Sequence, residues 1–252
     1  MALEQLIKPD FTRLMHHFNV SKEDIIQHFL SYNTGIKEST NNEFYESIES
    51  RFVLHIHAMI ENSYHQNIQN TVLEYIRSNP SIQSIVEVGF GFPSKHVTEL
   101  ALRDRKHSVT LADKYSSAIE YSKEYLKMID YSYGEVIDFK IADMDKQPLL
   151  GEYDCYVFLD SIEHTLNPTE YLKKTIMGAP KNSTFILSLP ICEPLPFHYI
   201  HWNTAEEAKN WLTKCGLYAN KMSQVDVNPE VDLFAEKIDG GLYNLVVECK
   251  KQ

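Results

Sequence analysis

The chain has 252 residues, 43% of them hydrophobic and 23% charged, with a formal net charge of −11. This length and balance allow one large domain with a substantial core, and exclude a disordered chain or two equal domains. An acidic chain without a run of lysines or arginines argues against DNA or RNA as the main partner, and no window nears the roughly 18 apolar residues of a membrane-spanning helix.

Four widely spaced cysteines, Cys155, Cys192, Cys215 and Cys249, form no C-x-x-C pair and read as free thiols of a reducing compartment. Met1 to Arg13 lacks an apolar stretch with a small-residue cleavage site, so a cytoplasmic chain is expected.

From the start of the chain, Phe11, Leu14, Met15 and Phe18, then Ile25, Ile26, Phe29 and Leu30, recur at helical spacing and predict two short amphipathic helices. The second begins after Ser21, with Asp24 three residues on, and Gly35 is its stop. Polar residues Lys37 to Asn42 separate these from a longer helical pattern through Phe44, Ile48, Phe52, Ile56, Met59 and Ile60. Another helix, Ile68 to Arg77, closes on Ser78-Asn79-Pro80. Residues 1–80 are therefore expected to form a helical cap or lid, and residues 81–252 an α/β domain.

After Pro80, short β-branched runs alternate with helical segments. Predicted strands are Ser84–Val88, Ser108–Ala112, Val136–Ile141, Tyr153–Leu159 and Thr184–Leu189, with helices near Ser94–Asp104, Ser116–Met128 and Pro168–Met177. Such alternation implies a doubly wound, mainly parallel α/β sheet. A helix over Thr204–Lys214 is followed by two strand-like runs, Tyr218–Val227 and Leu242–Cys249, with no crossover helix between them, so the seven-stranded sheet should finish antiparallel.

Ligands of such sheets bind beyond the carboxyl ends of the strands, and four of those ends carry suitable chemistry. Glu87-Val88-Gly89-Phe90-Gly91 runs from an apolar strand into a glycine turn that lets a ligand approach the backbone. The second strand ends at Asp113, where a carboxylate can accept ribose hydroxyls. The third ends in Asp143-Met144-Asp145, a carboxylate for an adenine amino group with a side chain to cover its face. The fourth runs from Asp160-Ser161-Ile162-Glu163-His164 to Asn167-Pro168, where ionisable residues crowd an apolar strand end.

In this order these segments resemble the class I S-adenosylmethionine-dependent methyltransferases, from about Ser81 to the end of the chain. The resemblance implies S-adenosylmethionine as cofactor, with Glu87, Gly89 and Gly91 at its methionine part, Asp113 at the ribose, Asp143 and Met144 at the adenine, and Asp160 with the residues after it facing the methyl group. His198 to Glu207 is similar to the family's loop and helix after the fifth strand. One departure is Pro93, which stands where the family usually has a third glycine. Proline fits the first turn of a helix, so the loop can form, and the seat of the methionine end is the point in question.

Methyl transfer needs an aligned acceptor and, at times, a base. His164, His198 and His201 lie on loops expected to meet at the substrate side, and imidazoles suit proton transfer at neutral pH. His55 and His57, two apart on a helix, point to different faces, and His198 with His201 offers no third ligand, so no metal is expected. The sequence thus implies methyl transfer to an oxygen or nitrogen of a small metabolite in a specialised biosynthesis, without nucleic-acid or membrane partners. The alternatives are aminopropyl or aminocarboxypropyl transfer from the same cofactor, and a non-catalytic cofactor-binding protein that forms a homodimer through its N-terminal helices.

Overall fold

Strand residues that alternate between two apolar faces decide the architecture. The computed structural model describes residues 10–35, 45–192, 198–227 and 242–251; the polar stretch Lys37–Asn42 and Phe44 lie outside them. Strands β1 (Ser84–Val88), β2 (Ser108–Asp113), β3 (Ile137–Ile141), β4 (Cys155–Leu159), β5 (Thr184–Ile191), β6 (Leu217–Asp226) and β7 (Tyr243–Lys251) form one sheet in the order β3-β2-β1-β4-β5-β7-β6. Only β7 runs against its neighbours, so the expected mainly parallel sheet with an antiparallel C-terminal strand is the one observed.

Along β4, Cys155 and Val157 enter one core and Tyr156 and Phe158 the other. A strand buried on both faces has no polar side, which is why these runs read as continuously apolar. Helices α4 (Tyr64–Arg77), α5 (Lys95–Val97) and α6 (Ser116–Ile129) cover the first face through Ile76, Val97 and Ala118. Helices α7 (Pro168–Gly178) and α8 (Ala205–Cys215) cover the second through Leu172 and Leu212.

The expected helix Ser94–Asp104 is only one α turn, α5, continued by a π-helical stretch over Thr98–Arg103. Leu100, Ala101 and Leu102 of this stretch are all buried.

Helices α1 (Asp10–Phe18), α2 (Lys22–Gly35) and α3 (Ile48–Ala58) precede α4. Ser21 and Asp24 start α2 with reciprocal bonds: each side chain accepts from the other's backbone N–H, at 3.0 and 2.8 Å. Phe11, Leu14, Ile25, Phe52 and Ile56 pack together around Tyr121 of α6, so these helices rest on the sheet's own layer. Helix α4 packs on β6 and β7, where Tyr75 Oη lies 2.8 Å from Ser223 Oγ. The layer over the sheet therefore starts before residue 81. Among the described residues no helix is long and apolar enough to cross a membrane.

Candidate functional site

The strand order reverses between β1 and β4, and the carboxyl ends of these strands face each other there. Gly89 and Gly91 both take positive φ, at 69° and 62°, a conformation that penalises any Cβ. At Gly89 a Cβ would also lie 2.8 Å from Ser161 Cβ and 3.5 Å from Met144 Cε. The β3 and β4 ends thus close on the β1 turn. Ser161 fastens this approach by donating its hydroxyl to the Val88 carbonyl at 2.9 Å.

Asp113 is buried at the end of β2 and accepts the Gly91 N–H at 3.1 Å and the Tyr115 N–H at 3.0 Å. Each carboxylate oxygen holds one donor and retains capacity for another. Asp143 is bound by Lys146 at 2.9 Å and by the backbone N–H of Asp145 at 3.0 Å. Burial works to raise its pKa, but these donors, with the charges of Lys146 and Lys114, hold it below the usual value. Met144 reaches back across the strand ends, with its sulfur 3.7 Å from Thr165 Oγ1.

Glu87 is engaged by residues that follow the glycine turn. Its buried carboxylate accepts Ser94 Oγ at 3.1 Å and lies 3.2 Å from His96 Nε2. Ser94 is the residue before α5, extended at φ −72° and ψ 160°, and its hydroxyl donates to Glu87 and makes no cap bond. Pro93 thus precedes the helix, in keeping with the expected start near Ser94, and does not occupy its first turn.

Asp160 sits at positive φ, 42°. It accepts Ser188 Oγ at 2.6 Å and lies 3.7 Å from His65 Nδ1. Burial raises its pKa to about 6, and the same burial, with the neighbouring His57, depresses that of His65.

Two residues of α3 enter the site that sequence reasoning did not assign to it. Arg51, 1% exposed, donates Nη1 to the Gly91 carbonyl at 3.1 Å and lies 5.4 Å from the Tyr115 ring centroid. Among the described residues its Nε and Nη2 have no partner. Burial lowers its pKa and the charge of Asp113 opposes that. His55 stacks on Phe92 at 5.5 Å and meets Tyr121 Oη at 2.9 Å; burial lowers its pKa to about 3, so it is neutral. Ile48, Arg51 and His55 are spaced as one helical stripe, and an arginine on an apolar stripe was the available signal.

The three expected histidines gather beside β4. The Tyr199 N–H donates to the Glu163 carbonyl at 2.7 Å, bringing the turn after β5 onto the turn after β4. The rings of His164 and His198 are 4.8 Å apart and those of His198 and His201 6.2 Å apart. His198 is buried and His201 exposed. An open surface hollow lined by Leu166, Thr169, Lys173, Tyr199 and Ile200 borders the same turn.

No family model and no curated protein matches the sequence. Solved structures match over most of the chain. Magnesium protoporphyrin IX methyltransferase from Synechocystis PCC 6803, with bound S-adenosylhomocysteine, is 14% identical at a TM-score of 0.56, covering 96% of this chain and 99% of its own. The mitomycin 7-O-methyltransferase MmcR is 11% identical at a TM-score of 0.60, covering 98% and 74%. The [4+2]-cyclase SpnF is 12% identical at a TM-score of 0.58, covering 75% and 83%. Strand order, the antiparallel seventh strand and these likenesses together give the chain the fold of the class I S-adenosylmethionine-dependent methyltransferases.

Proposed function

We propose that the protein binds S-adenosylmethionine across the ends of β1, β2 and β3 and transfers its methyl group to an oxygen or nitrogen of a small metabolite. The observation that carries this reading is the closure of three strand ends on the two positive-φ glycines, through Asp113 to Gly91 and through Met144 and Ser161 to Gly89. Glycines at positive φ keep this turn free of side chains of its own, which suits a ligand lying against the backbone.

The residues present fit that ligand. Asp113 offers acceptor capacity to ribose hydroxyls, Asp143 and Met144 flank the adenine position, and Asp160 offers a carboxylate to the ammonium. Arg51, whose Nε and Nη2 have no partner among the described residues and whose Nη1 reaches the Gly91 carbonyl, suits the carboxylate. Glu87 serves this seat indirectly, by fixing Ser94 and the turn. Bound there, S-adenosylmethionine supplies a methyl carbon already activated by its sulfonium sulfur. The chain has then to align the acceptor, exclude water with α1–α3 and receive a proton where the acceptor carries one. His164, His198 and His201 are the groups at hand for that proton.

A net charge of −11 and a covering helical layer favour a small molecule over nucleic acid, and a cytoplasmic setting fits the same reading. A homodimer through the N-terminal helices has less support. The apolar faces of α1 and α2 are engaged within the chain, and Leu30 is the large exposed apolar residue among their described positions.

Calorimetric titration with S-adenosylmethionine tests the reading, with Asp113→Ala as the weakened control. Product analysis completes it: S-adenosylhomocysteine marks methyl transfer, and methylthioadenosine marks transfer of the other arm. A second reading, a different reaction on the same scaffold, has one observation behind it, since a cyclase shares the fold. Binding without any cofactor turnover would favour it.

A further inference from the structure

The sequence pairs His198 with His201 and supplies no third ligand; in the fold the neighbours of His198 are Glu163 and His164. One ligand atom from each of these three residues lies within 4.8 Å of the others. Their placement is built into the chain. Glu163 and His164 belong to a 3₁₀ turn, Ile162–His164, directly after β4. The Tyr199 N–H bond to the Glu163 carbonyl fixes His198 beside them, and the two imidazoles meet edge to face at 78°. Glu163 and His198 are buried, at 1% and 6% exposure.

We propose that Glu163, His164 and His198 hold a divalent first-row transition-metal ion next to the cofactor cleft. Two imidazole nitrogens and one carboxylate are a donor set that binds such ions while leaving coordination positions open, whereas calcium and magnesium prefer oxygen alone. Donor atoms sharing one ion at about 2.1 Å lie roughly 3.0–3.4 Å apart. A pair at the full 4.8 Å therefore needs a contraction of roughly 1.4–1.8 Å, within the reach of side-chain rotations on two short turns. Burial of the carboxylate strengthens its attraction for a cation.

The site lies on the acceptor side. Ser161, two residues before Glu163, touches the Gly89 position, and Thr165, one residue after His164, touches Met144. Resting on the methyl-transfer reading, the open positions of the ion would take an acceptor hydroxyl. The ion would lower the pKa of that hydroxyl, and the proton given up as its O–H bond breaks would pass to His201, the histidine of the three outside the donor set, or to water. The acceptor class is then a metabolite with a hydroxyl or enol able to coordinate a metal.

The test is titration of the full chain, freed of metal by chelation, with Co²⁺ alone, read by its visible absorption and by calorimetry. We expect one equivalent to bind at micromolar affinity or tighter. Glu163→Gln and His198→Ala should each weaken it at least a hundredfold, with circular dichroism unchanged, and His17→Asn on the surface should leave it intact. Weak or multiple binding, or binding untouched by Glu163→Gln, overturns the proposal. S-adenosylhomocysteine titration of the same samples separates this outcome from failure of the methyl-transfer reading, because retained affinity for it leaves that reading standing.

Discussion

Gly91 donates its backbone N–H to Asp113 Oδ2 at 3.1 Å, tying the turn after the first strand to the end of the second. The carboxylate that would meet the ribose is therefore already oriented. Asp113→Ala should weaken S-adenosylmethionine binding by roughly tenfold to hundredfold, the equivalent of one hydrogen bond to a charged group. Asp113→Asn keeps the shape and should lose less. Calorimetry measures both, and thermal unfolding checks that the turn survives.

Gly89→Ala should destabilise the fold by about 2–4 kcal/mol, the sum of a left-handed backbone and a collision with Ser161 Cβ at 2.8 Å. Gly216, at φ 97°, has open space around it, so Gly216→Ala should show only the backbone part, about 1–2 kcal/mol. Pairing Gly89→Ala with Ser161→Gly should recover the collision but not the backbone term. Urea unfolding of the set gives these values, and equal losses at both glycines would contradict the close approach.

Asp160→Asn should make the protein more stable and less able to bind its cofactor. The folded pKa, about 6, lies above the ordinary 3.8. Its contribution is thus fully present below about pH 4 and lost as pH rises through 6. A fifth of the side chain stays open to solvent, so we expect a gain of roughly 1–2 kcal/mol at pH 7.5 rather than the full equivalent of the shift. Denaturant melts of both proteins between pH 4 and pH 8 should converge at the acid end.

Arg51→Met should leave folding stability unchanged or raised, because a buried charge, two of whose nitrogens have no partner among the described residues, is replaced by an apolar chain of similar length. Affinity for S-adenosylhomocysteine should fall at least tenfold. Affinity for methylthioadenosine, which has no carboxylate, should hardly change. An equal fall for both ligands would place Arg51 outside the carboxylate seat.

Most of the sheet was legible because strands buried on both faces are continuous apolar runs, as in Cys155–Leu159, and because glycines and carboxylates punctuate their ends. The antiparallel finish was readable from the missing crossover before Tyr243. Less legible was whatever depends on contacts distant in sequence. The bond from Ser94 to Glu87 spans seven residues and a turn, and no local pattern announces it. Arg51 reaches the glycine turn across 40 residues, and helical periodicity shows its stripe but not what the stripe meets. Glu163 read as one polar residue in a crowded loop until Tyr199 brought His198 beside it.

The Ser161 hydroxyl bond to the Val88 carbonyl joins the acceptor-side turn to the strand that leads into the glycine turn. An acceptor that shifts the turn after β4 must therefore load or relax the donor's seat, and linkage makes the effect mutual: whatever factor one ligand applies to the other's affinity is returned in full. The two binding events then report on each other, and Ser161→Ala, by cutting the tie, should bring their interaction free energy toward zero while each ligand still binds alone.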